Sequence, residues 1–136
     1  MAEALLDVAR EAVRLALGHG ARQCAAAASR ARQVELVWRD GRLETASEAT
    51  TRSLGLDLYV DGRFASVSTS DLRPEALDRF VAEGVALTRT LAPDPHRELP
   101  DPAGYAGQAT VDLQLLDPSH ASRDAVARRR AAEEIE

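Results

Sequence analysis

The sequence predicts an α+β domain: a helix, an antiparallel meander of about five strands, then a second helix on the same face. Three observations carry that expectation. The stretch Leu54 to Val60 alternates strictly, with Leu54, Leu56, Leu58 and Val60 on one side, which is the period of a half-buried strand. Two Asp-Gly pairs, Asp40-Gly41 and Asp61-Gly62, sit between such runs, and this dipeptide accepts the positive φ angles of a type I′ hairpin turn. Arg73-Pro74-Glu75 then opens a helix, with Pro at the first helical position where a missing N–H costs nothing.

The elements follow in order. Residues 2–17 read as an amphipathic helix. Leu5, Leu6, Val8, Ala9, Ala12, Val13, Leu15 and Ala16 leave a narrow polar stripe of Glu3, Asp7, Arg10, Glu11 and Arg14, so most of its circumference should be buried. Gly18-His19-Gly20 ends it with a left-handed cap. Strands are expected over Cys24–Arg30 and Gln33–Arg39, the latter with Val34, Leu36 and Trp38 on one face. Leu43–Arg52 is polar on both faces, which suggests a sheet edge or a surface that something else covers. The Leu54 strand and a polar-rich strand from Arg63 to Thr69 complete the sheet.

The second helix should run from Pro74 to about Leu91, with Leu77, Phe80, Val81, Gly84, Leu87 and Leu91 inward. A Pro/Gly-rich exit follows through Pro93-Asp94-Pro95-His96, Leu99-Pro100-Asp101-Pro102 and Gly104–Gly107. Ser122 can cap a third helix starting near Arg123. That helix has no Gly stop, and it carries Glu133, Glu134 and Glu136 where the macrodipole favours cations. It therefore reads as a truncated third helix, and the chain as a portion of a longer one. Val126 and Ile135 do not share a face, so the helix should fray or dock elsewhere. The expected organisation is an N-terminal α+β domain over 1–92, a crossover over 93–121 and the start of a further helix over 122–136.

Composition narrows function. The 136 residues carry 22 acidic and 17 basic side chains, a net charge of −5, which argues against a non-specific nucleic-acid surface. All the basic residues are Arg, and Ala is abundant, as a GC-rich coding sequence produces. A single cysteine, Cys24, excludes an internal disulfide and suits a reducing compartment. The acidic N-terminus lacks the basic and apolar regions of a secretion signal. No run approaches the ~20 apolar residues of a membrane span. A cytoplasmic location without membrane contact is expected.

No catalytic constellation emerges. His19, His96 and His120 are isolated from one another in sequence, with no His-Glu-x-x-His pattern, whereas zinc wants three or four convergent ligands. Cys24 reads as a small strand hydrophobe. Ser66, Ser68 and Ser70 form a polar strand face without the Gly-x-Ser-x-Gly elbow of a nucleophile. Arg128-Arg129-Arg130 reads as a solvated ion-pair face. No catalytic, metal-binding or cofactor-binding residue is therefore assigned, and no cofactor is expected in this segment.

The ordered landmarks resemble the TldD/PmbA family, in particular its PmbA (TldE) branch. They are Val37-Trp38-Arg39-Asp40-Gly41-Arg42-Leu43-Glu44-Thr45, Gly55 to Asp61-Gly62-Arg63, and Ser68-Thr69-Ser70-Asp71-Leu72. After the second helix come Asp94-Pro95, Leu99-Pro100-Asp101-Pro102 and Val111-Asp112-Leu113-Gln114-Leu115-Leu116-Asp117-Pro118. Family members were once labelled modulators of DNA gyrase and are now regarded as subunits of a cytosolic metalloprotease. The resemblance implies an N-terminal, non-catalytic portion of a PmbA-like subunit. The family's zinc helix, His-Glu-x-x-x-His, lies well downstream of this region and belongs to the TldD subunit; PmbA-type subunits lack it. Implied partners are a TldD-like subunit and an unfolded or modified peptide. Residues for such contacts are Glu44, Ser47, Glu48, Ser68, Thr69 and Asp71, on or beside a polar sheet edge suited to strand addition. Self-association through the edge strand or the third helix is the competing role, that of a stand-alone interaction module. The sequence beyond residue 136 would separate the two. A DNA-associated modulator is a third reading, disfavoured by the acidic balance.

Overall fold

The computed structural model describes residues 2–105, 111–115 and 117–135. The order is α1 (Ala2–Gly18), β1 (Gln23–Arg39), β2 (Arg42–Val60), β3 (Arg63–Thr69), α2 (Pro74–Thr88), two 3-10 turns (Pro102–Tyr105 and Pro118–Ser122) and α3 (Ala125–Ile135). The strands form one sheet in the order β1-β2-β3. The α+β class and both helices of the first part are as expected; the strands number three rather than five.

The reason for the smaller number is physical. The expected Cys24–Arg30 and Gln33–Arg39 strands are one continuous β1, because no Gly or Pro between them interrupts the extended backbone. Ser29 and Ser53 hydroxyls meet at 2.8 Å and Arg32 Nε donates to Glu48 Oε1 at 2.7 Å, tying β1 to β2 just before and within the expected break. In β2 the supposed break near Arg52 is a change of environment, not of backbone. Arg42–Ser53 is exposed throughout, and burial then alternates from Leu54 to Val60.

Both hairpin turns form as read. Asp40 and Gly41 have φ of 52° and 69°, and Asp61 and Gly62 have 49° and 70°, the left-handed pair that a type I′ turn requires. The second turn sets the β2–β3 register, pairing Val60 with Arg63, Leu58 with Ala65, Leu56 with Val67 and Leu54 with Thr69.

The described residues fall into two compact units, one from 1–31 and 51–104 and one from 32–50 and 105–136. The first holds the core. Leu54, Leu56, Leu58 and Val60 are fully buried with Ala12 and Ala16 of α1, Ala21, and Leu77, Val81 and Val85 of α2. Since the four β2 residues share one face, both helices lie on that face. Thr88 is also buried, and its hydroxyl donates to the Gly84 carbonyl at 2.7 Å, which removes the cost of an unpaired polar group. α1 ends in a Schellman cap. Ala21 N–H donates to Ala16 O, Gly20 N–H donates to Leu17 O, and Gly20 supplies φ of +98°. The helices are tied at their ends by His19 Nε2 and Asp78 Oδ1 at 2.9 Å and by Arg89 Nη2 donating to His19 O at 3.2 Å.

Burial is narrower than the sequence pattern suggested. Leu6 and Leu17 of α1 are each 48% exposed, so α1 buries a stripe of small residues rather than most of its circumference. In α2 the inward positions are Leu77, Val81, Gly84, Val85 and Thr88. Leu87 is exposed and Phe80 is half-buried, and Leu91, also exposed, lies beyond the helix end at Thr88. Trp38, on the apolar face read for Gln33–Arg39, is half-buried and lies in the second unit.

In that second unit α3 begins later than expected. Ser122 closes a 3-10 turn by donating to Ser119 O at 2.8 Å. Asp124 is the cap, accepting from Ala127 N–H at 2.7 Å. α3 has no buried residue, with Val126 74% and Ile135 86% exposed. The exit readings at Gly107, Leu116 and Glu136 lie outside the described residues.

Candidate functional site

The six contact residues read from sequence divide between the two units. Ser68, Thr69 and Asp71 belong to the first. Ser68 pairs with Gly55 and is exposed, whereas Thr69 pairs with Leu54 on the helix side of the sheet. They therefore face opposite ways and form no common cluster. Thr69 Oγ1 accepts from Asp71 N–H at 3.1 Å. The Asp71 carboxylate in turn accepts from Arg73 N–H at 3.2 Å and from its guanidinium, at 2.8 Å for Nε. These bonds shape the turn from β3 into α2, replacing the side-chain cap that Arg73 itself does not provide.

The paired Arg73 side chain and N–H hold the Asp71 carboxyl down to about 2. Its folded pKa lies below the unpaired value of 3.8. The contribution is therefore fully present above the unfolded pKa and is lost as pH falls through the folded one. The stability advantage of the native chain over an Asp71→Asn variant is expected to hold at neutral pH and to shrink between pH 4 and pH 2. Parallel thermal melts across that range check it.

Glu44, Ser47 and Glu48 lie on the exposed stretch of β2 in the second unit. Glu44 accepts from Arg39 Nη1 at 3.5 Å. Glu48 is paired with Arg32, and that hydrogen bond, with Arg128 nearby, lowers its pKa. Ser47 and Glu48 border a hollow of about 160 Å³ with Val34, Leu36, Ala46, Ala125 and Arg128. Close by, the Arg129 guanidinium stands 5.3 Å from the Trp38 ring centroid, a cation–π distance. The sequence reading assigned Arg128 and Arg129 to a solvated face.

Among the described residues, no group of three or more His, Cys, Asp or Glu is placed to hold a metal ion. Cys24 is half-buried, and desolvation followed by the negative charge of Asp57 pushes its thiol up to about 11, far from a reactive thiolate at neutral pH. Among the same residues, no helix is long and apolar enough to cross a membrane. What remains is an extended, polar hairpin stretch. β3 pairs only with Leu54–Val60, so the second side of Arg42–Ser53 has no described strand.

A helix-backed antiparallel sheet of this topology, with residues 24–88 matching the model of PmbA/TldA metallopeptidase domain 1, places the chain in the TldD/PmbA family. The metalloprotease PmbA of Escherichia coli O157:H7 is 31% identical over 98 residues, covering 72% of this chain and 22% of that protein. The crystal structure of a protein described as a modulator of DNA gyrase, from Bacteroides thetaiotaomicron, superposes with a TM-score of 0.89. It is 31% identical over 95% of this chain and 29% of that one. TldE from Thermococcus kodakarensis shares the fold, with a TM-score of 0.61 at 17% identity over 70% of this chain and 22% of that chain. The chain thus spans between a fifth and a third of the length of these relatives. It is a first domain related to metallopeptidases, as the PmbA-like landmarks implied.

Proposed function

We propose that this chain serves as a non-catalytic, architectural domain of a PmbA/TldE-like subunit. It pairs with a TldD-like metalloprotease subunit and helps to admit unfolded or modified peptides in the cytoplasm. The observation that carries this reading is the β1–β2 hairpin. Arg42–Ser53 is exposed at every position, and among the described residues no strand pairs with its second side. Long exposed strands are normally shortened, bulged or covered, and a hairpin of this kind suits backbone pairing with a partner strand. Family membership supplies the kind of partner, since the E. coli relative is named a metalloprotease.

Mixing the chain with a TldD-like subunit and measuring mass by light scattering tests the proposal. A mixed complex is expected, with peptidase activity in the mixture and none in the chain alone. Self-association of the chain with no uptake by the TldD-like subunit would favour the stand-alone module instead.

A further inference from the structure

The segment after α2 is held against the sheet by contacts that belong to no regular element. Arg63 Nε donates to Leu91 O at 2.8 Å, and Asp94 N–H donates to Gly62 O at 2.7 Å. The Arg97 guanidinium sits 4.5 Å from the Phe64 ring centroid, and the Phe64 ring lies tilted at 53° against Tyr59, with centroids 5.1 Å apart. Glu98 reaches Arg22 at 3.8 Å, and Leu99 N–H donates to Gln23 Oε1 at 3.2 Å. The anchors therefore come from β3 and its turn, from Tyr59 of β2 through Phe64, and from Gln23 of β1. Tyr59 and Phe64 alternate with the buried Leu58, Val60 and Ala65, so this is the face away from the helices. The segment is a strap laid across all three strands on that face.

We propose that residues 93–100 form a releasable strap, which opens while the core stays folded and so uncovers the Tyr59–Phe64 pair. None of its residues is fully buried; only Asp94 and Leu99 are half-covered. It is held by one cation–π contact, one long ion pair and single hydrogen bonds. The core beneath rests on fully buried aliphatic side chains. Segments with few buried apolar contacts open at a far lower free energy than a core does, and proteolysis in that regime tracks the open population.

Trypsin reads the opening directly, because the Arg97–Glu98 bond lies inside the strap. Two variants loosen different anchors: Phe64→Leu removes the ring under Arg97, and Gln23→Ala removes the acceptor for Leu99 N–H. Each is expected to speed cleavage after Arg97 by about two- to five-fold, the range that an exposed cation–π contact or a single hydrogen bond supplies. Amide exchange at Leu54–Val60 should stay unchanged in Gln23→Ala, which leaves the Tyr59–Phe64 pair intact. Unchanged cleavage in both variants would overturn the proposal. So would exchange at Leu54–Val60 rising in step with cleavage in Gln23→Ala, since the segment would then open only with the core.

Discussion

Truncating Leu58 to Ala is expected to lower stability by about 2–5 kcal/mol, the range for deleting a buried leucine side chain where neighbours close in only partly. Leu58 is fully buried at the centre of the row from Leu54 to Val60, beneath both helices. Its Cδ1 would lie only 2.9 Å from a Cβ built on Gly84 of α2, so it fills the closest approach of helix to sheet. Most of the core is Leu, Val and Ala, with aromatics at 4% of the chain. No large ring is present in the fully buried set to swing into the gap. Urea denaturation of the two proteins at equal slope gives the difference. A loss under about 0.5 kcal/mol, the level of an ordinary surface change, would mean that this strand face is not the core face.

The second large effect is expected at Gly84. Glycine within a helix normally costs up to about 1 kcal/mol relative to alanine, so replacing it should help if helix propensity alone decided. Here it does not. An added Cβ meets Leu58 Cδ1 at 2.9 Å and Val67 Cγ2 at 3.4 Å, and valine would push two further methyls toward the sheet. Gly84→Val is expected to destabilise by roughly 1–3 kcal/mol through overpacking. The interaction is specific to its partner. In a Leu58→Ala background the same change should cost less, because the added methyls enter the space that the leucine left. A double-mutant cycle by denaturation measures that coupling, and strict additivity would show that the two residues do not share a contact.

These effects rest on features that the sequence made legible for a clear reason. The alternation from Leu54 to Val60 and the two Asp-Gly turns are local signals, and the backbone obeys them. The Gly20 cap and the Pro74 start are equally local. What escaped reading was long-range. The strand count was overestimated because a change from polar to alternating residues near Arg52 looked like a break, when only the surroundings change along one strand. The extent of burial on α1 and α2 was misjudged because hydrophobicity marks which faces could be covered. How far the three-stranded sheet beneath them reaches decides which are.

The proposed contact residues illustrate the same limit. Ser68 and Thr69 are neighbours in sequence and lie on opposite sheet faces, by the period of a strand. Asp71 is engaged in the turn that starts α2, a role that its spacing to Arg73 allowed but did not single out. Glu44, Ser47 and Glu48 fall on the exposed hairpin stretch, where the sequence reading put a surface for something else to cover. The strap and the Arg129–Trp38 contact join residues far apart in the chain, and neither carries a local pattern from which it could be read.

The central claim is that the exposed hairpin stretch is a pairing surface for a metalloprotease subunit. The most direct measurement is a calorimetric titration of this chain into a TldD-like subunit, repeated with a Thr45→Arg, Ala49→Arg variant. Both positions are exposed on β2, so the fold should be untouched and the melting temperature unchanged. The account predicts a saturable equimolar complex for the native chain, weakened about ten-fold or more in the variant, as when a contact worth over ~1.4 kcal/mol is lost. No measurable binding by the native chain, or equal binding by the variant, would contradict it.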